Sequence, residues 1–383
     1  MNIDDIASKV IESLRKEMSD MGHVNIIVAG KTGVGKSTLI NSVFREKLAD
    51  TGIGAPVTQT IKELTKPDFP LRVYDTVGLE LGSERQQQVY SDINKVIKDA
   101  LSFGNKDKYI HCIWYCVNVN SNRLESIEEA FIEQLAIDNK HTGVPVIIVL
   151  TIAHNKKLSQ NMKNYIDERN LNTKGVCIVL AEDYEDEDFC RKAYGGDKLI
   201  EFTLSILPEA AQKAFINAQS ASLKLKRSKS QAIVASFVAT SFAEGFAPIP
   251  FSDAALLIPT QIGMIAAITA VYGLNVDKSM ITAIVTSIAG TSGATILGKT
   301  IVANLIKLIP GAGTVVGGMI SGATASVLTT ALGGTYIVIM EMIAKGEITE
   351  NDLKTEKFTK FIKDVFKEKY REGNVNHKII SSG

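Results

Sequence analysis

Gly30, Gly35, Lys36 and Ser37 complete the pattern G-x-x-x-x-G-K-[ST] at the end of an apolar run, Val-Asn-Ile-Ile-Val-Ala-Gly over residues 24–30. The chemistry that this spacing serves is polyphosphate binding. Glycines let successive backbone N–H groups close around an anion. Lys36 is placed to reach the β and γ phosphates, and the Ser37 hydroxyl to ligate Mg²⁺. The whole loop, Gly30, Lys31, Thr32, Gly33, Val34, Gly35, Lys36, Ser37 and Thr38, is a candidate set of nucleotide contacts. Thr-Leu-Ile-Asn-Ser-Val-Phe, from Thr38 onward, reads as a helix whose N-terminus faces the same anion.

Two further elements share this chemistry. Asp75-Thr-Val-Gly78 follows the apolar run Leu-Arg-Val-Tyr, so that Asp75 would hold Mg²⁺ through water and the Gly78 N–H would sense the γ-phosphate. Between the two motifs lies Gly52-Ile-Gly-Ala-Pro-Val-Thr-Gln-Thr60, whose glycines suit a loop that orders and disorders with the nucleotide. Such a loop needs a threonine that reaches the metal and the γ-phosphate; Thr58 is the first choice and Thr60 the alternative. Lys36, Thr58 and Gly78 are thus the expected catalytic groups, and Ser37, Thr58 and Asp75 the expected Mg²⁺ ligands.

The elements that must position these residues alternate in type. Apolar strand candidates cover 24–29, 69–75, 109–118, 145–151 and 175–181, and helical patterns lie near 36–46, 84–103, 122–137, 159–169 and 196–215. Strands separated by helices predict an α/β domain with a mostly parallel, doubly wound sheet over residues 22–218. Its ligand would sit at the carboxyl ends of the strands. Ahead of it, Ile3, Ile6, Val10, Ile11, Leu14 and Met18 predict an amphipathic helix within 1–21 that packs on a later domain or a partner, or caps the sheet.

Composition narrows the classes. The chain has 383 residues, which suggests two domains, and its 42 basic residues balance 42 acidic ones. No arginine-rich aromatic platform appears, so nucleic acid is not an expected partner. Cys112 and Cys116 lie in an apolar run and no second Cys or His pair supplies a zinc site, so they read as strand packing in a reducing compartment. The polar, acidic start Met-Asn-Ile-Asp-Asp-Ile does not read as a signal peptide.

The run Ala29-Gly-Lys-Thr-Gly-Val-Gly-Lys-Ser-Thr-Leu-Ile-Asn41, with Pro56-Val-Thr-Gln-Thr and Tyr74-Asp-Thr-Val-Gly-Leu, resembles the Era-like and septin-like P-loop GTPases, and the arrangement also resembles the immunity-related GTPases. The resemblance implies GTP and GDP with Mg²⁺ as cofactors, hydrolysis to GDP and phosphate, and dimerisation across the nucleotide faces. It departs from the family at two places. Where [NT]-K-x-D should read guanine, the chain has Thr151-Ile-Ala-His154, and a slip to Asn155-Lys-Lys-Leu158 still lacks the acid. Thr151 and His154 are carried as base contacts on that alignment, and Asp183, Glu185 and Asp186 in the next loop are a substitute source of a carboxylate or simply a solvated acidic loop. After Gly78 comes Leu79, where Ras-like enzymes place a water-orienting glutamine, and Gly33 stands where potassium-activated members carry asparagine. Slow basal turnover is expected, with Glu80, Glu84 or Arg85 available to act in trans.

The rest of the chain changes character. Residues 231–340 hold only six charged side chains, against 78 in the other 273 residues. Uncharged stretches of 23, 20 and 33 residues cover 254–276, 279–298 and 308–340, each long enough for a bilayer span of about 20 residues. Gly313-x-x-x-Gly317 and Gly318-x-x-x-Gly322 would let helices approach closely. The expected organisation is a basic linker over 219–230, an all-α hydrophobic domain over 231–345 and a charged helical tail over 346–383. The hydrophobic domain either associates with membrane lipid at the cytoplasmic face or forms a buried bundle. Abundant Ala, Gly, Ser and Thr, interruptions at Pro248, Pro250, Pro259 and Pro310, and the polar Gln261, Asn275 and Asn304 support the bundle as the alternative, while membrane association is the expected reading. Pro248-Ile-Pro-Phe-Ser-Asp253, Gln261-Ile-Gly-Met264, Val271-Tyr-Gly273 and Ile309-Pro-Gly-Ala-Gly313 make this half similar to a hydrophobic domain of unknown function attached to some bacterial GTPases.

Overall fold

The computed structural model describes residues 3–51, 53–79, 84–102, 104, 106–121, 123–187, 189–244, 249–250, 257–289, 319–320 and 322–381. The chain divides into two compact units, one of residues 21–223 and one of residues 1–20 with 224–383.

The first unit is a seven-stranded sheet with helices on its faces. It begins with β1 (Val24–Gly30), followed by α2 (Lys36–Val43), a single turn α3 (Leu48–Thr51), β2 (Ile53–Pro56), β3 (Ile61–Thr65) and β4 (Leu71–Thr76). There follow α4 (Glu84–Ser102), β5 (Cys112–Asn118), α5 (Ser126–Lys140), β6 (Val146–Thr151), α6 (Lys156–Arg169) and β7 (Gly175–Ile178). The strand order is β2-β3-β4-β1-β5-β6-β7. β4, β1, β5, β6 and β7 are parallel, while β2, β3 and β4 pair antiparallel. All seven residues of β1 are buried, as expected of a central parallel strand covered on both faces.

The two faces are packed by different chemistry. One carries the aliphatic cluster of α4, α5 and α6, with Ile27, Ile93, Ile132, Ile148 and Met162 at its centre. The other carries an aromatic stack in which Phe44 lies 5.7 Å from Trp114 at 3° and meets Phe215 edge-on at 6.3 Å. Cys112 and Cys116 are free thiols buried in β5.

Four elements differ from the sequence expectation. The loop at 52–60 contributes a strand, because Ile53 to Pro56 adds to the antiparallel edge through β3. The acidic stretch after β7 forms a hairpin, β8 (Tyr184–Asp186) with β9 (Phe189–Arg191). The single helix expected at 196–215 is two, α7 (Gly196–Ile206) and α8 (Glu209–Ala218), because Pro208 has no N–H to donate and holds Leu207 extended. The basic stretch expected as a linker opens a helix, α9 (Leu223–Glu244); Lys226 is buried there and its ammonium donates to the Val271 and Tyr272 carbonyls, both at 2.8 Å.

The second unit is helical. α1 (Ile3–Ser19) buries Ile6, Ala7 and Val10 and packs on α10 (Leu257–Tyr272) and α11 (Lys278–Ala289), which gives the amphipathic N-terminal helix its partner. A two-residue ladder joins β10 (Ile249–Pro250) to β11 (Met319–Ile320). α12 (Gly322–Ala344) packs on α10 and, after the turn α13 (Glu350–Leu353), on the long α14 (Glu356–Ser381). The expected separate tail is part of this unit: Phe358, Ile362 and Phe366 repeat every four residues and are buried, leaving Phe361 exposed.

Over their described residues, α10 with 16 and α11 with 12 are shorter than a hydrocarbon core of about 30 Å at about 1.5 Å per residue, while the adjoining residues 251–256 and 290–300 lie outside the described residues. Among the described residues one helical stretch is long and apolar enough to cross, Ala325–Ala344, and 67% of it is buried within the protein. The Gly313-x-x-x-Gly317 spacing, Gly318 and the break at 309–313 lie outside the described residues.

Candidate functional site

The loop between β1 and α2 is shaped by its own glycines. Gly30 has φ +146°, and a Cβ there would stand 2.4 Å from the Cys116 carbonyl oxygen, so the loop passes too close to β5 for any side chain. Gly33 and Gly35 have φ +74° and +84° and turn the chain into α2. No side chain caps α2, so the first-turn N–H groups of Lys36, Ser37 and Thr38 point out of the helix as an anion seat. Gly30→Ala should therefore lower stability by about 3 kcal/mol, as overpacking and backbone strain add; a melting temperature within 2 °C of wild type by circular dichroism would contradict this geometry.

Lys36 donates to the carbonyls of Gly30 at 3.0 Å and Lys31 at 3.1 Å, which folds its ammonium over the loop. Burial lowers its pKa, and Asp75 opposes that shift. Asp75 lies on β4 beside Lys62 of β3. Burial raises its pKa against the pull of Lys36 and Lys62. Its Oδ1 is buried and has no hydrogen-bond partner among the described residues. An orphaned carboxylate oxygen on a residue whose charge acts on Lys36 suits Mg²⁺, which takes one or two protein oxygens and completes its shell with phosphate and water. The protein residues that fit are Ser37, exposed on the first turn of α2, and Asp75. Among the described residues no group of three His, Cys, Asp or Glu gathers.

The D-x-x-G segment lies directly on the phosphate loop. A Cβ at Gly78 would fall 1.8 Å from Thr32 Oγ1 and 2.6 Å from Thr32 Cα. The next amide, of Leu79, donates to the Gly30 carbonyl at 3.2 Å, and Leu79 is 2% exposed within the core. The tip of the β2–β3 hairpin meets the same strand end, because the Val77 amide donates to the Thr60 carbonyl at 2.9 Å. The Thr58 hydroxyl, half-buried, accepts from the amides of Thr60 at 3.2 Å and Ile61 at 3.1 Å. Thr60 is buried and donates to Asp92 at 2.8 Å. Glu84 and Arg85 are exposed at the start of α4, and Glu80 lies outside the described residues.

Two loop residues act differently from a simple contact list. The Lys31 ammonium turns away to α5 and pairs with Glu128 at 2.8 Å and Glu125 at 3.1 Å, so only its backbone belongs to the anion seat. Burial works to lower its pKa, but hydrogen bonds to Glu128 and Glu125 raise it overall. The Tyr115 hydroxyl also donates to Glu128, at 3.2 Å. Sequence reasoning missed both glutamates, because acidic residues in the first turn of a helix read as ordinary dipole partners. Thr151, aligned with the base-reading element, is buried and donates to Val34 O at 2.6 Å and Val117 O at 3.1 Å; it ties the phosphate loop to β5 and β6.

The rest of that element is also resolved. Ile152 has φ +55°, an outlier for a β-branched residue, and its Cγ1 lies 3.6 Å from where a Gly35 Cβ would be. In the slipped register the Asn155 side-chain oxygen is occupied, because it caps α6 by accepting the Leu158 amide at 3.0 Å. His154 stacks on Tyr184 of the β8–β9 hairpin, with centroids 4.4 Å apart at 13°. Of the substitute acids, Asp183 is held by Lys192 at 2.6 Å and the Ala193 amide at 2.8 Å, and Asp186 accepts from Tyr184 at 3.1 Å.

A parallel-dominated sheet, a glycine loop feeding an uncapped helix, and a D-x-x-G strand end resting on that loop together define a P-loop GTPase domain. Residues 25–152 match the family described as 50S ribosome-binding GTPase, and residues 209–371 match a domain of unknown function (DUF697). The chain therefore joins a P-loop GTPase domain with septin-like relatives to a C-terminal helical domain of that second family. It is 27% identical to septin-2 of Bos taurus over 200 residues, which cover 46% of this chain and 54% of the septin. It is 24% identical to neuronal-specific septin-3 of Danio rerio over 204 residues, 47% of this chain and 54% of that one. The chain spans about half the length of the curated relatives it matches. Among solved structures it is similar to Toc33 of Arabidopsis thaliana, with 16% identity and a TM-score of 0.34 over 55% of this chain and 93% of that one.

Proposed function

We propose that the chain is a GTP-hydrolysing switch whose nucleotide state controls its helical unit. The observation that carries this reading is the buried, unpartnered Asp75 oxygen beside an uncapped α2 whose loop no Cβ could enter at Gly30. In this reading Lys36 leaves the Gly30 and Lys31 carbonyls for the β and γ phosphates. Ser37, Asp75 and Thr58 would hold Mg²⁺, whose charge would screen the phosphates. Thr58 suits this better than Thr60 because its hydroxyl is half-buried where Thr60 is buried, although both threonines bond to Asp92. The Gly78 amide senses the γ-phosphate as the segment shifts off Thr32. His154 and the loop at Thr151 face the base.

Slow basal turnover follows from Leu79, which is packed in the core and has no group to orient water. Self-association across the nucleotide faces would supply the missing group, with Glu84 and Arg85 exposed nearby. Phosphate release per molecule should therefore rise with protein concentration; a fast rate that is independent of concentration removes the need for a partner.

For the helical unit the proposal is association with the cytoplasmic face of a membrane, supported by the apolar span Ala325–Ala344. A second reading, a soluble immunity-type GTPase with a helical effector domain, is favoured by the burial of two-thirds of that span. Fractionation of full-length protein separates the two. Retention in a carbonate-washed membrane pellet supports insertion, release by the wash supports peripheral attachment, and recovery in the first supernatant supports the soluble bundle.

A further inference from the structure

We infer that this site reads the base through one hydrogen bond from His154, and that it accepts hypoxanthine nucleotides as readily as guanine nucleotides. The inference rests on the reading of the site as a purine-nucleotide site and deepens it. Along the base-reading segment, one polar group after another is already engaged. The Thr151 hydroxyl serves Val34 and Val117, the Ala153 carbonyl accepts the Tyr194 hydroxyl at 2.6 Å, and the Asn155 side chain caps α6. His154 donates its own amide to the Ile152 carbonyl at 2.9 Å, which leaves its ring as the group free to meet a base edge. Tyr184 holds that ring in place by stacking at 4.4 Å, and the Tyr184 hydroxyl is in turn fixed on Asp186.

A carboxylate at this position would take two hydrogen bonds, one from guanine N1–H and one from the 2-amine. One imidazole nitrogen makes one bond. As an acceptor it takes N1–H, and as a donor it meets O6. Guanine and hypoxanthine share both groups and differ only in the 2-amine, which this ring does not sense. The nearby Asp183 and Asp186 already accept from Lys192, the Ala193 amide and Tyr184, so a bond from either to the 2-amine competes with these. Tyr184 is a positioning residue here: it acts on the base through His154.

The test is displacement of a fluorescent GDP analogue from the full-length protein by GDP and by IDP. The inference expects dissociation constants within about threefold of each other. In His154→Asp the ratio should widen in favour of GDP by roughly 10- to 100-fold, the worth of a hydrogen bond to a charged acceptor. Tyr184→Ala should weaken both nucleotides by the same factor. A wild-type preference for GDP above about tenfold overturns the inference and assigns the 2-amine to an acid such as Glu182 or Glu185. An unchanged ratio in folded His154→Asp overturns it by removing His154 from the base edge. If neither nucleotide binds, the purine-nucleotide reading itself falls; binding of both with a wide gap leaves that reading intact and removes only this one.

Discussion

Lys36→Ala should weaken nucleotide binding by roughly 100- to 5,000-fold. The ammonium already sits over the loop, 3.0 Å from the Gly30 carbonyl and 3.1 Å from that of Lys31, and burial is lowering its pKa in the absence of phosphate. A polyphosphate offsets that desolvation by supplying counter-charge to the ammonium. Losing one partner of such a desolvated charge pair costs about 3–5 kcal/mol, or roughly 100- to 5,000-fold in Kd. The fold should survive, because the Gly30 carbonyl keeps the Leu79 amide as a donor. Titration with a fluorescent GDP analogue, beside a melting curve, makes the check. Affinity within tenfold of wild type in a folded variant would show that the phosphates bind elsewhere.

Asp75→Asn should move stability and function in opposite directions. Burial raises the Asp75 pKa in the folded chain, despite Lys36 and Lys62. The unfolded chain therefore holds its ionised form more easily. As pH rises through the window between the unfolded value of 3.8 and the raised folded value, wild type loses stability that a neutral Asn side chain retains. At pH 7 the variant should melt at a higher temperature than wild type, and below about pH 3 the difference should vanish, since both side chains are then neutral. Function should go the other way. The gain in nucleotide affinity on adding Mg²⁺, measured against EDTA, should fall by about 10- to 100-fold, as for loss of a group that orients a metal's water. A variant less stable than wild type at pH 7 would mean that Asp75 is a structural carboxylate whose partners outweigh its burial.

The candidate site could be proposed from the sequence because the chemistry expected of it is local. Fourteen residues from Val24 to Ser37 contain the strand, the turn and the helix start, and Asp75 to Gly78 contain a strand end and its loop, so spacing along the chain translates directly into spacing in space. The parallel sheet was legible for a similar reason: β1, β5 and β6 are buried on both faces and read as continuous apolar runs. β2 was hidden because Ile-Gly-Ala-Pro has neither alternation nor β propensity; its strand geometry comes from pairing with β3 at the edge. The β8–β9 hairpin was hidden under acidic residues that resemble a solvated loop.

Residue types and spacing by themselves gave the phosphate-loop pattern, the D-x-x-G pattern that carries the proposed metal carboxylate Asp75, and the absence of an acid from the base-reading element. Those facts depend on backbone conformation and on side chains only a few residues apart. Tertiary structure alone decided the rest. It turned the Lys31 side chain toward Glu125 and Glu128, made Thr151 a strut between β5, β6 and the phosphate loop, and set Tyr184 against His154. It also placed α1 with helices more than 200 residues further along the chain. Periodicity gives a helix an apolar face but not the identity of what covers it. Only the packed chain brings together groups that are distant in sequence, and there burial and hydrogen-bond demand, rather than local propensity, select the partner.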